Sequence, residues 1–321
     1  MKDAPLASVI IPTWNGRVLL AECLASLQAQ SFQHFETIVV DNGSTDGTEE
    51  WLKAEYPDVC IVRLAANKGF AGGCNAGIAA ATSEFVVLLN NDAVAEPEWL
   101  AALVNAAEQH PEAGFFASQI RRADAPDIIE SLGDYYSVFG WAGHEGAGRK
   151  VSAVPPGVSE SFGACACAVL YRTSALENVG LFDEEFFVSH EDVDLSFRLR
   201  LAGERCLCVH EAIVFHRGFA TRKRDDPTTL FYSRRNQLYV LFKNLPLLLF
   251  VFLSPFLLLG QVLGLSSRVI HLGFWQALRT TLRARREALK QFPVFLEKRK
   301  KIQAGRKLSS LGLLRMLSWK I

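Results

Sequence analysis

The feature that most constrains this chain is a regular alternation of short β-branched runs with helical stretches over its first 117 residues. Ser8 to Ile11 is an apolar run that stops at Pro12, and a helical pattern follows through Val18, Leu19, Cys23, Leu24 and Leu27. Thr37 to Val40 reads as a second strand, Glu49 to Ala54 as a short helix and Cys60 to Leu64 as a third strand. A glycine-rich loop then leads into a small helix over Asn75 to Ala81, followed by a strand at Phe85 to Leu89. A helix from Pro97 to Gln109 and a strand near Gly114 to Ala117 complete the series. Strands and helices alternating at this spacing build βαβ units, which predicts an α/β fold with a mostly parallel sheet covered by helices on both faces. Ligands of such sheets sit beyond the carboxyl ends of the strands.

Residues 121 to 160 are richer in Gly, Pro, Asp and Ser, and read as loops and short strands around a cleft. Order returns with an apolar strand through Tyr171, helices near Thr173 to Val179 and from about Asp192 to Ala202, and a turn at Phe182-Asp183. After Lys243 the character changes. Asn244 to Ser267 is 24 residues without a charge, long enough to cross a bilayer. Pro246 and Pro255 complicate a straight span. The formal net charge is zero, yet from Arg268 onward there are 14 Lys/Arg against 2 Asp/Glu, so of 34 each the preceding part holds 20 and 32. Basic residues interleaved with Phe292, Phe295, Leu296 and Trp319 read as a segment lying on anionic lipid rather than on nucleic acid. Basic flanks on both sides of the apolar run, Arg234, Arg235 and Lys243 before it and Arg279 to Arg286 after it, favour an in-plane helix pair broken near Pro255 over a single crossing. The division expected is 1–243 for the catalytic domain and 244–321 for a membrane-associated region; a chain ending at Lys243 should be more soluble and still bind donor. Lys2, Asp3 and Pro5 lead directly into the first strand, which argues against a signal peptide. Seven cysteines without a secretory leader favour free thiols. The pairs Cys165/Cys167 and Cys206/Cys208 lie in apolar runs and read as small buried side chains rather than zinc ligands.

Polar clusters close the predicted strands. Pro12-Thr13-Trp14-Asn15-Gly16 follows the first, and Asp41-Asn42-Gly43-Ser44-Thr45-Asp46-Gly47 the second. The latter alone is also an ordinary turn. Asn67-Lys68-Gly69-Phe70-Ala71-Gly72-Gly73-Cys74-Asn75-Ala76-Gly77 offers glycines ahead of a helix, where amides approach phosphate. It is no Walker A loop, since Ile78 stands where Lys is required, and G-x-G-x-x-G does not occur. Leu88-Leu89-Asn90-Asn91-Asp92 delivers a carboxylate to a strand end, as a divalent-ion ligand or as a turn aspartate. Glu191, Asp192 and Asp194 open a helix, which dipole stabilisation partly explains; a base acting on an acceptor hydroxyl needs one of them. His216 ends a Val-Phe-His strand and reads equally as a metal ligand or a core histidine.

Taken together and in this order, the clusters VDNGSTDGT, NKGFAGGCNAG, LLNND and GLFDEEFFVSHEDVDLSFRLRLAG, with His216 and Arg235-Asn236, resemble the family 2 glycosyltransferases of GT-A fold, rhamnosyltransferase-like branch. The resemblance runs from Ser8 to about Asn244. Its D-x-D appears as Asn90-Asn91-Asp92, leaving Asp92 as the main anionic ligand. The resemblance implies donor contacts at Thr13, Asn15, Asp41, Asn67, Gly69, Asn75, Asn90 and Asn91. It implies Mg2+ or Mn2+ at Asp92 and His216, and Asp192 as general base beside Glu191. The implied activity is inverting transfer of a sugar, rhamnose first, from a dTDP- or UDP-sugar to a glycan or polyprenyl-linked acceptor in cell-surface polysaccharide synthesis. The implied location is the cytoplasmic face of a bacterial inner membrane. The alternatives are a catalytically silent nucleotide-sugar binder of the same fold and a membrane scaffold. A processive synthase would need further spans and a Q-x-x-R-W motif.

Overall fold

The computed structural model describes residues 4–218 and 226–320, with backbone alone at 265–272; Lys2 and Asp3 of the expected leaderless start lie outside it. The strands are β1 (Ala7–Thr13), β2 (Phe35–Asp41), β3 (Cys60–Arg63), β4 (Phe85–Leu89), β5 (Ala93–Ala95), β6 (Ala113–Arg122), β7 (Ala125–Ser131), β8 (Asp134–Tyr136), β9 (Ala142–His144), β10 (Val158–Ser161), β11 (Ala168–Arg172) and β12 (Arg205–His216). The helices are α1 (Arg17–Gln28), α2 (Thr48–Glu55), α3 (Gly69–Ala80), α4 (Trp99–Gln109), α5 (Thr173–Val179), α6 (Glu191–Leu201), α7 (Pro227–Asn244), α8 (Leu247–Leu272), α9 (Phe274–Ala304) and α10 (Ser310–Met316).

The main sheet runs β10-β12-β6-β11-β4-β1-β2-β3. It is parallel through β4, β1, β2 and β3 and again between β6 and β12, with β11 antiparallel between β4 and β6. Alternation along each strand feeds two cores. Val9, Ile11, Val39 and Val87 pack on one face, and Ile10, Ile38, Val40, Val86 and Leu88 on the other. That double burial is why these strands read as continuous apolar runs. β1 has β2 on one side and β4 on the other, so the crevice at the carboxyl ends of β1 and β4 is where the chain reverses direction across the sheet, the place at which open α/β sheets as a class bind ligands.

Two boundaries differ from the sequence reading. β1 passes through Pro12 to Thr13. Thr13 O accepts from Asn42 N on the β2 side, so the alternation turns Pro12 toward β4, where pairing has already ended at Ile10, and no ladder bond is lost. The glycine-rich segment is not a loop before a helix at Asn75, because α3 begins at Gly69. Its glycines let the helix sink onto the sheet. A Cβ on Gly77 would stand 2.3 Å from Ile10 Cγ2, and one on Gly73 3.2 Å from Asn42 Nδ2.

The expected break at Pro255 is also overturned: α8 runs unbroken through it, and the chain turns instead at Gly273, φ +75°. Pro255 cannot donate to the carbonyl one turn back, and the Ser254 hydroxyl takes that place, donating to Val251 O at 2.8 Å. A third core joins α6, α7, α8, α9 and α10 through Phe186, Phe197, Tyr239, Leu241, Leu249, Leu253, Leu257, Phe295 and Leu313. Below it lies a buried ionic network. Lys243 Nζ donates to Asp183 at 2.6 Å and to Asp194 at 2.8 Å, Lys298 of α9 donates to Asp183 at 2.6 Å, and Arg198 donates to Asp194 at 2.9 Å. Burial pushes the Asp183 carboxyl up, but the two lysines overcome it and hold it at about 2. The outer face of α8 is apolar, with Leu247, Leu248, Val251, Phe252, Leu258, Leu259 and Val262 exposed. Leu247–Gly264 is long and apolar enough to cross a membrane, yet Leu249, Leu253 and Leu257 on its other face are buried in the third core.

Candidate active site

The site is assembled from strand ends. β5 pairs with β12 so that Ala93 faces His216, and this register sets Asp92 beside that imidazole: His216 Nε2 lies 3.3 Å from Asp92 Oδ1. His216 Nδ1 lies 2.8 Å from Glu130 Oε1 of β7, which orients the ring and leaves Nε2 for the crevice. Burial lowers the His216 pKa, but the charge of Cys167 first, then hydrogen bonds to Asp92, Cys167 and Glu130, raise it strongly. The pair fits a hard divalent ion. Two ligands at the ~2.1 Å bond length of Mg2+ and at right angles are about 3 Å apart. Among the described residues no cluster of three His, Cys, Asp or Glu side chains could hold a metal. A Mg2+ site completed by substrate phosphates needs only one or two protein ligands. Asn90 adds a buried side-chain oxygen, Oδ1, with no hydrogen-bond partner.

The remaining candidates divide by what occupies them. Asn91 Nδ2 donates to Thr13 Oγ1 at 2.9 Å, tying the end of β4 to the end of β1. Asn15, at φ +50°, accepts from Thr45 N at 2.8 Å and joins the loops after β1 and β2. Asp41 is fully buried; Ser44 N donates to its Oδ1 at 2.9 Å and Arg63 contacts its Oδ2. The half-exposed Arg63 guanidinium is therefore the group this pair presents outward. Asn67 Oδ1 accepts from Gly69 N at 2.8 Å. Gly69 itself has φ +75°, and a Cβ there would meet Phe187 O at 2.2 Å. Asn75 is turned to the Phe182–Glu184 turn, donating to Phe182 O at 2.9 Å and accepting from Phe182 N at 3.0 Å.

Asp192 sits in the first turn of α6, half-buried, accepting from Val193 N at 2.8 Å and Ala166 N at 3.3 Å. Burial first, then the Asp134 carboxylate, raises its pKa to about 6, against the pull of those two amides. Asp134 is held by His144 across the β8–β9 pair, Oδ1 to Nδ1 2.7 Å. Burial works against charging His144, but Asp134 prevails and raises it to about 9. Glu191, buried at 6% exposure, precedes Asp192, while Asp194 belongs to the ionic network beneath the helix. The segment leading into α6 is strained: Phe187, Ser189 and His190 all have positive φ. Asn236 holds it, donating to Phe186 O, Val188 O and Ser189 O at 2.9, 2.8 and 2.6 Å, and Arg235 donates to Glu185 O and Phe186 O. The structure thus adds Glu130, Asp134, His144 and Arg63 to the candidates. Glu130, Asp134 and His144 come from the middle segment, whose periodicity is weaker and which reads only as loops and short strands around a cleft.

A cavity of 990 Å3 lies between the start of β2, α1 and the end of α2, lined by Leu24, His34, Phe35 and Tyr56, and includes none of these candidates.

The family model described as glycosyl transferase family 2 matches residues 8–180. The chain is 31% identical over 241 residues to the O-antigen biosynthesis protein RfbC of Myxococcus xanthus, covering 70% of this chain but 18% of that protein. It is 30% identical over 247 residues to the N-acetylglucosaminyl-diphospho-decaprenol L-rhamnosyltransferase of Mycobacterium tuberculosis, covering 69% of this chain and 79% of that protein. The mannosyltransferase PcManGT from Pyrobaculum calidifontis, solved with GDP-Man and Mn2+, has the same fold at TM-score 0.56 and 18% identity, over 95% of this chain and 86% of that one. TarS 1-349 of Staphylococcus aureus in complex with UDP matches at TM-score 0.57 and 19% identity, over 98% and 93%.

Proposed function

The chain belongs to glycosyl transferase family 2, in its rhamnosyltransferase-like branch with the GT-A fold, and on that premise we propose that it is an inverting, metal-dependent glycosyltransferase. It transfers a hexose, rhamnose first, from a dTDP- or UDP-sugar to a hydroxyl of a glycan or polyprenyl-linked glycan, on the cytoplasmic face of a bacterial inner membrane. The carrying observation is the placement of Asp192. A carboxylate brought to about 6 is ionised at neutral pH and still basic enough to take a proton.

In this reading the acceptor hydroxyl gives its proton to Asp192 as its oxygen bonds the anomeric carbon. The bond from that carbon to the diphosphate oxygen breaks, and the electron pair leaves with the nucleoside diphosphate. One displacement from the face opposite the leaving group inverts the centre. Asp92 and His216 would hold Mg2+ or Mn2+, which when bound neutralises charge on the leaving diphosphate. Thr13, Asn15, Asn67 and Gly69 shape the donor crevice, and Asp41 acts there through Arg63. The exposed apolar face of α8 supports placement at a membrane, where lipid-linked glycans are presented.

A donor screen tests the reading: full-length protein with each nucleotide-sugar and Mn2+, scoring thermal shift and release of free nucleotide. dTDP-rhamnose is expected to give the largest shift and slow hydrolysis. No response to any nucleotide-sugar would sink the assignment, and a shift without turnover on any acceptor would mark a silent binder.

A further inference from the structure

A separate cavity of 300 Å3 opens between the β8–β9 hairpin, α7 and α8, lined by Trp141, His190, Arg234, Gln237, Leu263 and Gly264. Two connections set it beside the base. His190 caps α6 two residues before Asp192, and the hairpin bearing Trp141 at its turn carries Asp134, whose charge acts on Asp192. None of the donor-side candidates lines it.

The cavity is built around the Arg234 guanidinium. Arg234 is 8% exposed and donates to Gly264 O of α8. A Cβ on Gly264 would stand 2.5 Å from Arg234 Nη1, so the helix lies directly against that group. Gln237 Nε2 donates to Gly140 O at 2.7 Å, which fixes the hairpin tip over α7. Burial, then the charge of Arg234, keeps His190 neutral, its pKa lowered to about 4. Guanidinium suits a diphosphate through paired N–H donors, and an indole face suits the apolar face of a sugar ring. One turn from Leu263 along α8, Leu258, Leu259 and Val262 face outward, so an alkyl chain leaving the cavity would meet apolar surface.

We propose that this cavity is the acceptor subsite, taking the diphosphate of a lipid-linked glycan at Arg234 and its first sugar against Trp141. The inference rests on the glycosyltransferase reading above and deepens it, making α8 a wall of the acceptor site as well as a membrane contact.

The test uses full-length protein in detergent micelles and isothermal calorimetry with four probes: UDP, farnesyl diphosphate, farnesyl-diphosphate-linked N-acetylglucosamine and inorganic pyrophosphate. Arg234→Gln is expected to weaken both farnesyl probes at least about tenfold, the scale of a charge-assisted pair, with UDP affinity unchanged. Trp141→Ala is expected to weaken only the sugar-bearing probe. Unchanged farnesyl diphosphate affinity in Arg234→Gln overturns the proposal, as does inorganic pyrophosphate binding as tightly as the lipid-linked probes. Should Arg234→Gln lose UDP as well through misfolding, Trp141→Ala decides: equal affinity for the sugar-bearing probe overturns the assignment. Wild-type protein that binds UDP but neither farnesyl probe defeats this inference alone. Protein that binds no nucleotide defeats the reading beneath it.

Discussion

Asp192 carries two opposed demands. The start of a helix favours a carboxylate and lowers its pKa, whereas burial and Asp134 raise it, and the latter win at about 6. Asp192→Asn is therefore expected to keep donor affinity and lower turnover at least about 10²-fold, the lower end for a general base. Wild-type kcat should fall on the acid side of about pH 6; a flat profile there, or normal turnover by Asp192→Asn beside a dead Glu191→Gln, would reverse the two roles. Stability follows with a definite sign. A carboxyl raised from 3.8 to about 6 holds its proton longer in the native state, so native stability drops as pH rises between those values and the full cost stands above them. Asp192→Asn should thus raise Tm at pH 8, by roughly 1–3 kcal/mol of stability for a half-buried group, and the difference should vanish near pH 4. At the other end of the crevice, Asp92→Ala and His216→Ala are expected to abolish the Mn2+ dependence of donor binding in calorimetry, as chelation does. Glu130→Gln should weaken Mn2+ affinity by roughly 10–100-fold through the freed imidazole. Equal donor affinity with and without Mn2+ in the wild type would remove the metal from the mechanism.

Among the elements, the segment from Phe187 to His190 stands out because its backbone is held where side chains rarely sit. Each such residue costs on the order of 1–3 kcal/mol and persists only if its surroundings over-determine it. Asn236 does so with three bonds, to the carbonyls of Phe186, Val188 and Ser189, and Phe187 O in turn accepts from Phe70 N at 2.7 Å, linking the segment to the first turn of α3. Asn236→Ala is expected to let this segment relax: about tenfold or greater loss of kcat, faster amide exchange at residues 187 to 192, and an unchanged sheet. Unaltered exchange would mean that the strain is held elsewhere. The same element logic explains α8. Its length and apolarity permit a crossing, but one face is committed to the third core.

At the scale of the whole molecule, that commitment packs α8 and α9 on a common core. Leu258, Leu259 and Val262 are exposed on α8, as are Arg279, Leu282, Arg283, Arg286 and Leu289 on α9. An apolar face rimmed by arginines binds anionic bilayers in their plane, each nearby charge adding about 1 kcal/mol. Full-length protein is expected to float with phosphatidylglycerol vesicles at low salt and Leu258→Glu/Val262→Glu to remain behind; flotation of both alike would locate membrane binding elsewhere. Removing the segment is expected to have a different outcome from the one the sequence alone suggests. A chain ending at Lys243 loses Lys298 from Asp183 and uncovers Tyr239, Leu241 and Phe186. Aggregation or loss of donor binding is the expected result, and a soluble, nucleotide-binding product would show that the third core is dispensable.

Local pattern was enough for the strand–helix alternation, because strands buried on both faces must be apolar throughout and their ends must turn. Hence β2, β4, α5 and α6 lie within two residues of where the sequence places them. It also offered Asp92, His216 and the carboxylates Glu191, Asp192 and Asp194 as candidates, since each stands at the end of a strand or the start of a helix, while their roles came from the resemblance to family 2. Tertiary structure decided what lies between elements far apart in the chain. It made the glycines of α3 packing contacts against Ile10 and Asn42 rather than a loop, because a missing Cβ has meaning only when something approaches it. It brought Glu130 to His216 across 86 residues and Asp134 beside Asp192. It carried α8 through Pro255, since a neighbouring serine could fill the lost hydrogen bond. Periodicity records which face of an element is buried, but a partner's identity depends on the path of the whole chain, and no local window contains that path.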